Sequence, residues 1–119
     1  MRLPVPKKQV EWIGSAKKDL ASFPAEVQHD IGYALTYAQF GGKHHSAKPW
    51  KGLGPGVLEI VSDYDTNTYR AVYTVNIGDV IYVLHAFQKK SKSGVSTPQE
   101  VVELIRQRYK KAVELSKKR

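Results

Sequence analysis

The chain has 119 residues, of which 41% are hydrophobic and 25% charged, proportions that fit one soluble globular domain over residues 1–119 and exclude a disordered tail or a membrane protein. Lysine and arginine number 19 against 11 acidic residues, a formal net charge of +8, so polyanions are favoured partners: nucleic acid, an acidic protein or an anionic surface. There is no cysteine, which removes disulfides, thiolate zinc sites and cysteine nucleophiles together, and no apolar run approaches a membrane span or a signal-peptide core, so a cytoplasmic location is expected.

In chain order, KKQVEWIG alternates Val10 and Trp12 with Gln9 and Glu11 and predicts a short first strand. Ser15 follows as a cap for a brief helix over AKKDLASF. Pro24 stands where a first helical turn tolerates it, and Val27, Ile31, Leu35 and Ala38 recur at helical spacing up to Gly41-Gly42, predicting an amphipathic helix of about 16 residues. Residues 41–56, GGKHHSAKPWKGLGPG, read as a loop long enough to be functional, with four basic or histidine positions before Pro49. Three strands follow, VLEIVSD, TYRAVYTV and DVIYVLHAF, separated by the turn signals YDTN and NIG and expected to form an antiparallel meander. In TPQE, Thr97 can cap, Pro98 can open the first turn and Glu100 can complete a capping box; Val101, Ile105, Tyr109 and Ala112 then supply the inner stripe of a terminal helix.

The third of those strands finishes in a histidine, a phenylalanine and two lysines, an unusual amount of charge for a buried element. If Val75 pairs with Val80 across Ile77-Gly78, then Tyr73 meets Tyr82, Ala71 meets Leu84 and Arg70 lies opposite His85. One register around YDTN sets Glu59 beside Arg70, and a strand continued past Phe87 keeps Lys89 on the His85 side, with Lys90 nearby. Glu59, Arg70, His85 and Lys89 then share one end of the sheet. Each has a simpler reading alone: a cross-strand ion pair, a hydrogen-bonded histidine, a solvated strand end. Together, a carboxylate, a guanidinium, an imidazole and an ammonium around one concavity provide acid–base groups beside cationic clamps, which suits phosphodiester cleavage in RNA without a metal or other cofactor. Glu59 is the base candidate, His85 the acid candidate, although an imidazole can serve either proton role, and Arg70 and Lys89 are the electrostatic stabilisers. The doublet His44-His45 would point its side chains apart in extended chain and has no acidic cluster in nearby sequence, so no metal site is expected there.

The order strand, two helices, three antiparallel strands and a helix, with AKPWKGLGPGVLEI, YRAVYTV and IYVLHAFQKKSKSGVSTPQEV in sequence, resembles the RelE/ParE toxin superfamily, and within it the phage-derived HigB-like branch. The resemblance implies an α+β, RelE-like fold: an antiparallel sheet core with two N-terminal helices and a C-terminal helix. It also implies the toxin of a type II toxin–antitoxin system, an mRNA endoribonuclease acting on the ribosome and held inactive by a cognate antitoxin, for this branch a helix-turn-helix, HigA-like protein. On that resemblance Arg70 takes the place of the strand arginine, Glu59 falls near a strand glutamate or lysine, and His85, Lys89 and Lys90 match basic groups after the last strand. Lys51 matches a basic position before the loop glycine; Lys48, Phe87 and Lys92 complete the expected RNA contacts, with Phe87 stacking on a base. A catalytic tyrosine near the end of some relatives has no match, because Tyr109 falls in the helical stripe. ParE-type members poison DNA gyrase without cutting RNA, and a non-catalytic nucleic-acid-binding module would need the charge alone; the Glu59, Arg70 and His85 set favours cleavage over both. The excess positive charge further predicts an acidic antitoxin segment that either plugs the cleft or packs on a helix away from it, the basic cleft favouring the first.

Overall fold

A computed structural model describes residues 7–89 and 97–119. Its elements are β1 (Gln9–Trp12), α1 (Ala16–Ala21), α2 (Ala25–Gln39), β2 (Ala47–Pro49), β3 (Val57–Tyr64), β4 (Asn67–Thr74), β5 (Val80–Lys89) and α3 (Gln99–Lys117). The expected α+β arrangement is present, with two helices before the main strands and one after them. The five strands form one sheet in the order β1-β5-β4-β3-β2. The meander β3-β4-β5 is antiparallel as expected, whereas β1 joins β5 in parallel, Gln9 opposite Val80 and Trp12 opposite Val83. Within the long loop, Ala47–Pro49 form a short edge strand on β3 that the glycine- and proline-rich composition conceals.

Period-two alternation lets each central strand feed two cores. On one face Ile60, Ala71, Tyr73, Ile81 and Val83 pack against Leu20 of α1 and against Val27, Ile31, Leu35 and Ala38 of α2, the residues the helical spacing selected. On the other, Val57, Val72, Val80, Tyr82 and Leu84 meet Trp50 and the α3 stripe of Ile105 and Ala112, flanked by Val101 and Tyr109. Full burial of a side chain such as Ile31 or Ile105 stabilises by about 1.5–3 kcal/mol, so the sheet is held from both sides.

The expected β4–β5 register is not the one observed. Thr74 pairs with Tyr82 and Tyr73 with Val83, but Val72 then pairs with His85, so Leu84 is an extra residue, a β-bulge. The bulge changes the parity of the strand. Before it Tyr82 lies on the α3 side and Val83 on the α2 side; after it His85 and Phe87 pair with Val72 and Arg70, and Ala86 faces α1 and α2. Arg70 is therefore opposite Phe87 rather than His85.

Two helix starts also differ from expectation. Ser15 occupies the N-cap position of α1, but its hydroxyl donates to Asp19 Oδ2 at 2.7 Å instead of accepting from the backbone. Pro98, with ψ 143, is the residue before α3, so the helix begins one position too late for Thr97 and Glu100 to form a capping box. The loop before β3 needs a glycine at residue 56: its φ is +92 and an added Cβ would stand 2.5 Å from the Asn76 side chain. Among the described residues no helix is long and apolar enough to cross a membrane.

Candidate functional site

At the β2 edge of the α3-facing side, the sheet and the start of α3 enclose a cleft of about 530 Å³, lined by Lys48, Pro49, Trp50, Lys51, Glu59, Arg70, Lys89, Thr97, Gln99 and Val102. Strand pairing explains why the charged groups meet. Lys48 is directly opposite Glu59 across β2 and β3; Glu59 is opposite Val72 and Val61 opposite Arg70, so Arg70 is the diagonal neighbour of Glu59 on the same face. Lys89, opposite Thr68, continues that face on β5.

Glu59 is 6% exposed, an unusual burial for a carboxylate, and Arg70 compensates it: Arg70 Nη1 donates to Glu59 Oε1. Lys48 Nζ lies 3.8 Å from the same oxygen. Both cations converge on Oε1, which leaves Oε2 as the oxygen with which the carboxylate can take a proton. Arg70 Nε is buried without a hydrogen-bond partner, so only the outer guanidinium nitrogens can meet a ligand in the cleft. Among the described residues, lining side chains thus set four cations, Lys48, Lys51, Arg70 and Lys89, against one carboxylate, Glu59. An arrangement of that sign attracts a polyanion and offers a guanidinium fork to a phosphate.

Of the residues selected from sequence, Glu59, Arg70, Lys89, Lys48 and Lys51 are brought together here. His85 and Phe87 are not among the lining residues; their rings stack on each other at 5.3 Å, interplanar angle 15°, beside the cleft. Lys90 and Lys92 lie outside the described residues.

Arg108 on α3, which no sequence pattern singled out, explains the state of His85. Its Nη1 donates to Leu84 O at 2.9 Å, an oxygen at the bulge, and lies 3.0 Å from His85 Nδ1, while Nη2 donates to Ser15 Oγ at 3.0 Å. A guanidinium has no acceptor, so His85 Nδ1 must accept, and the ring is the neutral Nε2–H tautomer. Burial first, and then the Arg108 charge, hold His85 below the usual histidine range, with Asp19 opposing more weakly. An imidazole kept neutral is a poor source of a proton. Gly14 makes room for this guanidinium: an added Cβ would approach Arg108 Nη2 to 2.9 Å, and its φ is +55.

Trp50, Thr97, Gln99 and Val102 also went unselected. Trp50, 7% exposed, had a signal in its place between Lys48, Pro49 and Lys51; the three α3-side residues had none, since their approach depends on how α3 docks. His44 and His45 do not point apart, because residues 45 and 46 form a turn; their ring centroids lie 4.1 Å apart with the planes tilted by 35°. Among the described residues no group of three or more His, Asp or Glu side chains could hold a metal ion.

Comparison with known proteins gives two findings. The family model described as "Phage derived protein Gp49-like (DUF891)" matches residues 18–110, which include every described residue of the cleft. Among solved structures, a chain of the RelBE2 toxin–antitoxin complex from Mycobacterium tuberculosis is similar at 16% identity and TM-score 0.44, over 70% of this chain and 99% of that one. No curated protein matches. With the family model spanning most of its length, the chain belongs to the phage-derived Gp49-like family.

Proposed function

We propose that the protein is the toxin of a type II toxin–antitoxin system and that it cleaves mRNA on the ribosome without a metal. The observation that carries this reading is the pairing of Glu59 with Arg70 inside a cleft that also holds Lys48, Lys51 and Lys89. RNA brings its own nucleophile, so the protein has to supply a base, charge stabilisation and orientation. Glu59 Oε2 takes the proton of the ribose 2′-hydroxyl. The 2′-oxygen then bonds to the adjacent phosphorus and the bond from phosphorus to the 5′-oxygen breaks, leaving a 2′,3′-cyclic phosphate and a 5′-hydroxyl. Arg70 and Lys48, already beside the base, bind the phosphoryl oxygens as negative charge builds on them. Lys89 faces the departing oxygen in this scheme and its ammonium gives that oxygen a proton, taking the place first given to His85, whose neutral ring is tied to Arg108. His85 and Phe87 instead support the strand that carries Lys89.

Translation extract programmed with a defined message provides the test. Primer extension should detect new 5′ ends with the wild-type protein and none with Glu59→Gln, and the ends should vanish when ribosomes are omitted. Cleavage of naked RNA at the same sites would remove the ribosome from the proposal.

One observation favours a second reading. Arg70 is largely buried and neutralises a still more buried carboxylate, as an ion pair kept for the fold alone would. The protein would then act on DNA gyrase, as ParE-type toxins do, or bind nucleic acid without cutting it. Intact message together with double-strand DNA breaks in treated cells would support the gyrase reading.

A further inference from the structure

On the opposite side of the molecule α2 carries a second apolar face that nothing in the chain covers among the described residues. Tyr33, Tyr37 and Phe40, at i, i+4 and i+7, point away from the buried Val27, Ile31 and Leu35 face and are 53%, 43% and 49% exposed. His44 joins them, its ring edge-on to Tyr33 at 83° and to Tyr37 at 84°, and it is held there by Ser46, whose N–H donates to Nδ1 at 3.2 Å. At the C-terminal end of α2, Phe40 also borders a cleft of about 530 Å³ whose rim carries Lys7, Lys8 and Arg119 against Asp79, Arg119 also being paired with Glu11. At the other end, Asp30 and Asp63 flank the hollow beside Tyr33 and His45.

We infer that this ridge docks an amphipathic helical segment of a partner protein, with apolar residues over Tyr33, Tyr37 and Phe40 and acidic residues at the end that meets Lys7, Lys8 and Arg119. Three observations select this occupant. The Tyr33, Tyr37 and His44 rings are set steeply to one another, so they form a solid apolar knob rather than parallel platforms on which successive bases stack. Asp30 and Asp63 beside the knob repel a phosphate chain but accept the basic or hydrogen-bonding end of a peptide. A second copy of the chain fits poorly, because two surfaces of a +8 protein would bring their lysines together. An acidic, apolar-striped segment satisfies both ends and the middle. This rests on the proposed function in one respect, that the partner is the antitoxin. It then leaves the Glu59–Arg70 cleft, on the other face of the sheet, uncovered by this segment, contrary to the expectation that the acidic segment lies over the cleft.

A phage-displayed library of helical peptides of about 20 residues, selected on the full-length protein, tests the inference without reading RNA cleavage. Enriched peptides should carry an apolar i, i+4, i+7 stripe with Asp or Glu concentrated at one end. Their Kd should rise at least about tenfold on the Tyr37→Ser/Phe40→Ser protein, whose melting temperature should match the wild type because both side chains are exposed. Amide shifts on titration should concentrate at residues 33–44. Binders indifferent to the double substitution, basic binders, shifts centred on Lys48, Lys51 and Lys89, or no binders at all would overturn it. So would shifts at the ridge produced by a uridine-rich single-stranded RNA and by none of the peptides. Should the message prove uncleaved in translation extract, the peptide result stands by itself.

Discussion

Replacing Arg70 by alanine tests the link between the cleft's chemistry and its stability. Glu59 is 6% exposed and its recorded partners are Arg70 and the outer Lys48, which at 3.8 Å is 58% exposed. Without Arg70 the carboxylate stays buried with one loosely held counter-charge. Losing one partner of a fully buried pair costs about 3–5 kcal/mol, and the cleft's access to water together with Lys48 reduces this to about 2–3 kcal/mol. In a domain of this size that lowers the melting temperature by about 8–12 °C. Glu59→Gln removes the buried charge and keeps the shape, so Arg70→Ala placed on that background should cost less, about 1 kcal/mol. A double-mutant cycle by urea denaturation at neutral pH should therefore give a coupling of about 1–2 kcal/mol. A stability for Arg70→Ala within about 0.5 kcal/mol of the wild type would refute the reasoning, because the pair would then be too well solvated to matter. Loss of toxicity in Arg70→Ala has to be read beside this measurement.

Four further outcomes are expected. Asp65 and Thr66 turn the β3–β4 hairpin with φ values of 49 and 65, and a β-branched residue is strained there, so Thr66→Gly should stabilise by about 1 kcal/mol in the same denaturation assay. His85 is held below its ordinary value of 6.5, so the unfolded chain binds the proton more readily; stability from this group is intact above about pH 6.5 and falls as the pH drops towards the lower folded value. Substituting Arg108→Met removes one cause of the lowering, and nuclear magnetic resonance titration should find the His85 midpoint moved upward. Lys48→Ala with Lys89→Ala should flatten the dependence of single-stranded RNA affinity on salt by about 1.4 in log–log slope, two contacts at about 0.7 each; an unchanged slope would mean that neither lysine meets a phosphate.

How far the sequence foretold these features depends on the range of the forces involved. The α2 and α3 stripes and the three central strands were legible because one residue type recurring at a fixed period records which face is buried. The diagonal neighbours Glu59 and Arg70 were legible too, since YDTN is a two-residue turn and fixes the β3–β4 register. His85 was set opposite Arg70 for two reasons: the turn before β5 is one residue longer than Val75–Val80 pairing allows, so Tyr73 meets Val83 rather than Tyr82, and the bulge at Leu84, which leaves no local mark, adds a second residue of shift. Arg108 was missed for a related reason. In sequence it is one of several cations on a basic helix, and its contacts with Ser15 and Leu84 span 93 and 24 residues. Thr97 looked like a cap because the TPQE pattern is right, but Pro98 keeps an extended ψ and the helix starts at Gln99, which leaves Thr97 to line the cleft.

The chemistry of the RNA ends tests the central claim most directly. A message recovered from translation extract after exposure to the wild-type protein should carry 2′,3′-cyclic phosphate at the upstream fragment's 3′ end and a 5′-hydroxyl on the downstream fragment, both visible by mass spectrometry. A single 2′-deoxynucleotide at the cleavage position, or the Glu59→Gln substitution, should suppress both ends. Fragments bearing a 5′-phosphate and a 3′-hydroxyl, or cutting that survives the deoxy substitution, would contradict attack by the 2′-oxygen under the control of Glu59 and Arg70.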